Sequence, residues 1–238
     1  MTQAPVFSFE PINPWSDEPQ MESIQHLDQM MLLLTCLRWH WRDRNDYFAA
    51  GNLTIFYSPR QRKSEDFRGP DFFLVKDCDP DMTRRSWVVW QEGGRYPDLI
   101  VEILSDSTAK TDLGLKKQIY QDIFRTPEYF LFEPHTFWFE GYQLVVGQYE
   151  PIVANAEGRL WSQELQLFLG VHEGQVRFFM PSGDLVLTPQ ESALLVAEQA
   201  EQAQQEAKLA QQEAEAERKQ REKLAAKLRE LNIDPDSL

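Results

Sequence analysis

Apolar residues along this chain are spaced in three ways, and the changes of spacing divide it. From about Gln20 to Arg44 they recur at Met21, Ile24, Leu27, Met31, Leu34 and Leu37, steps of three and four that predict an amphipathic helix. From Tyr47 the period changes. "LTIFY" (53–57), "DFFLV" (71–75), "DLIVEIL" (98–104) and "EYFLF" (128–132) are short apolar runs edged by Pro, Gly, Ser or Asp, as buried strands are.

Between the last two runs lies one helix-length segment. Thr111 is placed to cap it, and Leu113, Lys116/Lys117, Tyr120 and Ile123/Phe124 repeat at three or four. Strand, helix, strand is a crossover that makes its two strands parallel neighbours, so the predicted order is α-β-β-β-α-β. Beyond about residue 136, segments such as "TFWFEG" and "YQLVVGQYEP" with closely spaced glycines predict a β-rich extension. The expected fold class is α/β, a mixed sheet flanked by helices.

The third regime is the tail. Ala193, Val196, Ala200, Ala203, Ala207, Ala210 and Ala214, then Leu224, Leu228 and Leu231, alternate by three and four, the seam of a long coiled-coil helix. Alanine knobs bury little area, so a partner would gain stability mainly at the leucine end. The expected organisation is therefore an extended, Pro-rich arm over 1–19, a globular domain over 20–189, and a helical tail over 190–238 that implies a homo-oligomer, a dimer in the simplest case.

Composition narrows the function. The formal charge is −14, and the tail, with 7 basic and 11 acidic residues, leaves −10 on the body. Such a chain lacks the basic field that dominates non-specific nucleic-acid affinity, and no aromatic-plus-basic stripe stands out, so DNA contact would need a local patch or bound cations. Cys36 and Cys78 are far apart and the four histidines show no paired spacing, which argues against structural zinc and for a reducing compartment. The first twenty residues lack a signal-peptide pattern, and "MMLLLTCL" is far shorter than the roughly 20 residues of a membrane span. A soluble, cytoplasmic protein is expected.

The candidate chemistry lies where charge interrupts apolar runs. In a strand over 98–104, Asp98, Ile100, Glu102 and Leu104 share one face. Glu102 is thus mid-strand among apolar neighbours, where a lone carboxylate costs several kcal/mol unless paired, protonated or bound to a cation. Asp71 opens the preceding strand directly after Gly69-Pro70. If the two strands are neighbours, Asp71 and Glu102 converge, and an oxygen-ligand pair with room for waters suits Mg²⁺. Lys116, three residues after Leu113 and four before Tyr120, is turned towards the sheet, where its ammonium would face the carboxylates. Each residue also has a plain structural reading: Asp98 as a turn cap after Pro97, Asp71 as a strand-start residue, Glu102 with Lys116 as a structural ion pair, and Lys117 as a solvated helix residue.

"GPDFFLV", "PDLIVEILSDSTAKTDLGLKKQIYQ" and "TPEYFLFEP" resemble the Uma-type restriction endonuclease family, a branch of the PD-(D/E)XK nuclease superfamily, and the likeness covers most of residues 47–238. The resemblance implies a restriction-endonuclease-like core, Mg²⁺ or Mn²⁺ as cofactor and DNA as substrate. It places Asp71 and Glu102 on the metal-binding positions and Lys116 on the family's helix-borne lysine. The lysine of (D/E)-x-K is missing, since Leu104 stands there. Asp98 matches a position that is often acidic, a further metal or water ligand. The family's "YELIDGE"-like stretch is replaced by "DYFAAGNLTIF", which keeps Gly51. For a helix-borne acidic residue, Glu22 and Asp28 are the candidates. The segment from Asp77 to Tyr96 is long enough for a flap.

Two functions follow. The first is a metal-dependent endonuclease in which Asp71 and Glu102 hold the ion and Lys116 stabilises developing negative charge. The second is a catalytically inactive nuclease-like protein acting in assembly through its acidic body and tail.

Overall fold

The computed structural model describes residues 23–58, 69–105 and 112–230. The arm over 1–19, the cap at Thr111, Glu22 and the last leucine of the tail seam lie outside them. The described residues divide into two compact units, one ending at Thr188 and the other beginning at Pro189.

The first unit is mixed α/β. Helix α1 (Ile24–His40) starts on Ser23, whose side chain accepts from the His26 amide at 3.1 Å. The strands follow as β1 (Tyr47–Ala50), β2 (Ile55–Phe56), β3 (Phe72–Lys76), β4 (Trp87–Val88), β5 (Leu99–Ile103), β6 (Glu128–Glu133), β7 (Trp138–Val145), β8 (Gln148–Pro151), β9 (Leu160–Ser162), β10 (Leu167–His172) and β11 (Gln175–Phe179). The main sheet runs β1-β3-β5-β6-β7-β8, with β5 and β6 parallel and the other pairs antiparallel. The parallel pair is joined by a crossover wound as π-helix over Asp112–Lys116 and Ile119–Phe124.

Burial on both faces explains the near-continuous apolar runs: β3, β5 and β6 are almost wholly inaccessible. Phe72, Leu74, Leu99, Val101 and Phe130 face α1 and the three-stranded sheet β11-β10-β9. Phe73, Val75, Ile100, Tyr129 and Leu131 face the crossover with Tyr120 and Phe124. The β-rich extension therefore supplies half of one core layer.

Three expectations need correction. The edge strand beside β3 is "YFAA", and "LTIFY" supplies only β2, which pairs in parallel with β4 in a ladder of its own. That ladder anchors the segment from Asp77 to Tyr96: Trp87 is fully buried, stacks on Phe48 at 5.3 Å and donates through Nε1 to the Arg95 carbonyl. The expected flap is at its middle a packed part of the core.

Helix α1 buries a different stripe from the expected one. It buries His26, Gln29, Met30, Leu33 and Leu37, whereas Ile24, Leu27 and Met31 are exposed. The helix is apolar on several sides, so spacing alone allows more than one stripe. Two polar residues settle which is buried. Gln29 accepts from the Val176 amide at 2.8 Å and donates to its carbonyl at 3.0 Å, so it closes the edge of β11 as a strand neighbour would. His26 meets Asp71.

The second unit is helix α2 (Pro189–Glu230), about 63 Å at 1.5 Å per residue. Leu194, Val196, Leu209 and Leu224 are exposed, and Lys219–Glu215 and Arg218–Glu222 pair one turn apart at 2.7 and 3.0 Å. Among the described residues no helix is long and apolar enough to cross a membrane.

Candidate active site

Antiparallel pairing of β3 with β5 sets Phe72 opposite Val101, which brings the residue before β3 to the residue after Val101. These are Asp71 and Glu102. The Asp71 amide donates to Glu102 Oε2 at 3.3 Å, and the Ile103 amide donates to Asp71 Oδ2 at 2.7 Å. Each acid thus fixes the main chain beside the other.

Glu102 is wholly buried. Its Oε1 accepts from Lys116 Nζ at 3.1 Å and from the Tyr120 hydroxyl at 2.6 Å, both from the crossover. Lys116 is itself buried, so spacing placed its ammonium correctly, although Leu113, expected on the same inward face, is exposed. Lys117 points elsewhere: its Nζ lies 3.3 Å from the centroid of the Tyr142 ring, and burial lowers its pKa.

Asp71 receives a partner from α1, with His26 Nε2 at 2.7 Å from Oδ1. Burial pushes the Asp71 carboxyl up, but the His26 hydrogen bond and charge, with Lys116 and the Ile103 amide, outweigh it and hold the group below its ordinary value. Gly51 permits this approach of α1. A Cβ there would stand 2.4 Å from Met30 Sδ and 2.5 Å from the Asp71 carbonyl oxygen.

The remaining candidates are not part of this cluster. Asp98 is at the other end of β5, about 13 Å from Glu102 at 3.3 Å per residue, and accepts from the Lys76 amide at 2.7 Å. Burial raises its pKa, with Glu164 adding to the effect. It closes the ladder of β3 at a strand end, the capping role open to it from Pro97. Asp28 is exposed on α1, and Glu22 lies outside the described residues.

Two members were missed. His26 shares a helix face with Gln29, Met30 and Leu33, a polar residue in an apolar stripe, and that was the available signal. Tyr120 was placed on the inward face by spacing, but nothing in the sequence announced its hydroxyl as a partner for Glu102.

Asp71 and Glu102 offer four carboxylate oxygens, hard donors of the type Mg²⁺ takes. Glu102 Oε1 has two protein partners and each of the other three oxygens has at least one, and an ionised carboxylate oxygen accepts more than one contact. Among the described residues no group of three or more His, Cys, Asp or Glu forms a metal cage. Two carboxylates with the remaining positions left to water fit an ion that sheds its hydration reluctantly.

The family model described as "Uma2: Putative restriction endonuclease" matches residues 17–172. Among solved structures, the crystal structure of "a putative nuclease belonging to DUF820" from Anabaena variabilis ATCC 29413 is similar at 14% identity, covering 64% of this chain and 80% of that one, with a TM-score of 0.47. Comparison with curated proteins gives no match.

Proposed function

The chain belongs to the Uma2 family of restriction-endonuclease-type proteins, and we propose that it is a divalent-metal-dependent endonuclease that hydrolyses phosphodiester bonds in DNA. The observation that supports this is the convergence of Asp71, Glu102 and Lys116, three charges gathered at largely buried positions. As a pure scaffold the same packing would tolerate apolar residues at little cost.

In this reading Asp71 and Glu102 hold Mg²⁺, with Mn²⁺ as a substitute. When bound, the ion supplies a water of lowered pKa and charge to offset the scissile phosphate. The chain's own residues do the rest. Tyr120 and Lys116 hold Glu102 Oε1 from one side, so the carboxylate keeps a single orientation. His26 and the Ile103 amide do the same for Asp71. Lys116, a compact cation beside the pair, stabilises negative charge developing on the phosphate. No covalent intermediate is needed, because hydrolysis by a positioned water requires no nucleophilic side chain.

We further propose that α2 joins two copies of the chain, so that each could cut one strand of a duplex, and that the protein works in the cytoplasm, where its substrate lies. The decisive experiment is plasmid nicking with Mg²⁺ or Mn²⁺, comparing wild type with Glu102→Gln and Lys116→Ala. Loss of nicking in both variants is expected. Activity that survives Glu102→Gln overturns the assignment, and absence of activity in every protein turns the reading to assembly through the acidic body and tail.

A further inference from the structure

Residues 38–44, "RWHWRDR", run through the end of α1 remote from His26, about 18 Å along the axis at 1.5 Å per residue. The fold turns them into a pocket of about 420 Å³ walled by Arg38, Arg42, Arg44, Trp41, Tyr47 and Met82. Sequence spacing showed no aromatic-plus-basic stripe in this acidic chain. Here one is built from consecutive residues at a helix end, where the turn gathers side chains that no helical or strand period would align.

The three guanidiniums are held differently. Arg44 lies 4.0 Å from the centroid of the Trp41 ring and 5.9 Å from that of Tyr47. The same group donates to both oxygens of Asp46, at 2.8 and 3.0 Å. Trp41 and Tyr47 are buried and meet edge to face at 5.0 Å, so the floor under Arg44 is rigid. Arg44 is therefore a flat cation fixed from below and from one side, with 37% of its side chain still exposed. Arg38 and Arg42 are exposed at the rim and donate to the carbonyls of Ala49 and Trp39, each at 3.0 Å, while Arg42 also lies 4.7 Å from the centroid of the Trp39 ring and 3.9 Å from the Asp43 carboxylate, a pair open to solvent. Met82 closes the mouth and is 56% exposed.

We propose that this pocket binds one nucleotide of a DNA strand, the base stacked on the Arg44 guanidinium and the adjoining phosphate between Arg38 and Arg42. Guanidinium planes stack bases, and arginine pairs with phosphate through two parallel N–H groups. The volume lies within the roughly 300–1,000 Å³ of small-ligand sites, enough for a base with its phosphate. The body carries a repelling net charge, so a strand gains most from a patch where cations outnumber Asp43 and Asp46. The identity of the strand rests on the endonuclease reading. The pocket shares no residue with the Asp71–Glu102 cluster, so it contributes affinity and register and takes no part in the chemistry.

The test is fluorescence anisotropy with a labelled single-stranded DNA of about 12 nucleotides, in EDTA so that no divalent ion contributes. Wild type is compared with Arg44→Gln, with Arg38→Gln/Arg42→Gln, and with Met82→Glu, which puts an anion at the exposed rim without touching the core. Each variant is expected to bind about ten-fold more weakly. The double variant should also lose about 0.7 of salt slope for each phosphate contact removed. Failure of wild type to bind, wild-type affinity in all three variants, or equal affinity for poly-glutamate of matched charge each overturns the proposal. Nicking assays on the same preparations separate the two readings. Cleavage with arginine-independent binding removes the pocket alone, and arginine-dependent binding without cleavage in any protein removes the nuclease reading alone.

Discussion

His26 Nε2 and Asp71 Oδ1 stand 2.7 Å apart, joining the first turn of α1 to the residue that opens β3. Both side chains are largely buried, so the contact fixes the helix against the strand end as well as the carboxylate against its partner. His26→Ala leaves Asp71 Oδ1 without its imidazole partner. Urea titration should show a loss of about 1.5–3 kcal/mol, the range for a hydrogen bond to a charged group. His26→Phe refills the volume but should not restore nicking, because only an N–H can hold the carboxylate in place.

Lys116 and Tyr120 both donate to Glu102 Oε1, and this makes their contributions unequal. Lys116→Met breaks the ion pair of a wholly buried carboxylate, at an expected cost of ~3–5 kcal/mol. Tyr120→Phe removes one hydrogen bond and keeps the ring packing, at an expected cost of about 1.5–3 kcal/mol. Adding Glu102→Gln to Lys116→Met should recover part of the loss, since the buried carboxylate charge disappears. Strict additivity in that double-mutant cycle would mean that the pair is not coupled in the folded state.

Much of this site was legible because β-strands alternate strictly. The parity of 98–104 singled out Glu102, the Gly-Pro before Asp71 marked a strand start, and the spacing to Tyr120 turned Lys116 inwards. What could not be read were relations set by packing between distant segments. Asp98 has the same parity as Glu102, yet parity does not say which end of a strand meets which neighbour. The buried stripe of α1 includes His26 and Gln29, residues that look polar until Asp71 and the Val176 main chain are beside them. The arginines of 38–44 escaped for a related reason, since their grouping comes from the chain leaving the helix.

Gly51 offers a steric test of how tightly α1 must approach. In Gly51→Ala the new Cβ would overlap Met30 Sδ and the Asp71 carbonyl, and the second is backbone that cannot rotate away. A stability loss of ~1–3 kcal/mol is expected. Met30→Ala should relieve only the side-chain half of the clash, so the double variant should remain less stable than Met30→Ala alone. Equal stability of the two would show that the strand end is free to shift.

Helix α2 begins at Pro189, so a chain ending at Thr188 removes it whole. Light scattering should give a dimer for the full chain and a monomer for the shortened one. Leu224→Glu, at an exposed seam position, should act in the same direction. Unchanged mass in both would take the helix out of any account of assembly.

Glu128 makes stability depend on pH. It is buried at the start of β6, accepts from the Ser162 hydroxyl and from the Gln163 amide at 2.6 Å, and so ties the main sheet to the turn after β9. Burial pushes its carboxyl up to about 7, and nearby Glu164 adds to the rise, although the Ser162 and Gln163 bonds oppose it. Glu164 is itself paired with Lys76, whose amide donates to Asp98. A group whose pKa rises on folding binds its proton more tightly in the native state. The stabilisation is therefore complete below the ordinary value of 4.5 and is lost as pH climbs through about 7. Denaturation midpoints should fall across that interval in wild type. Glu128→Gln, which mimics the protonated form, should flatten the profile there and exceed wild type in stability above neutrality. An unchanged slope in the variant would assign the titration to another group.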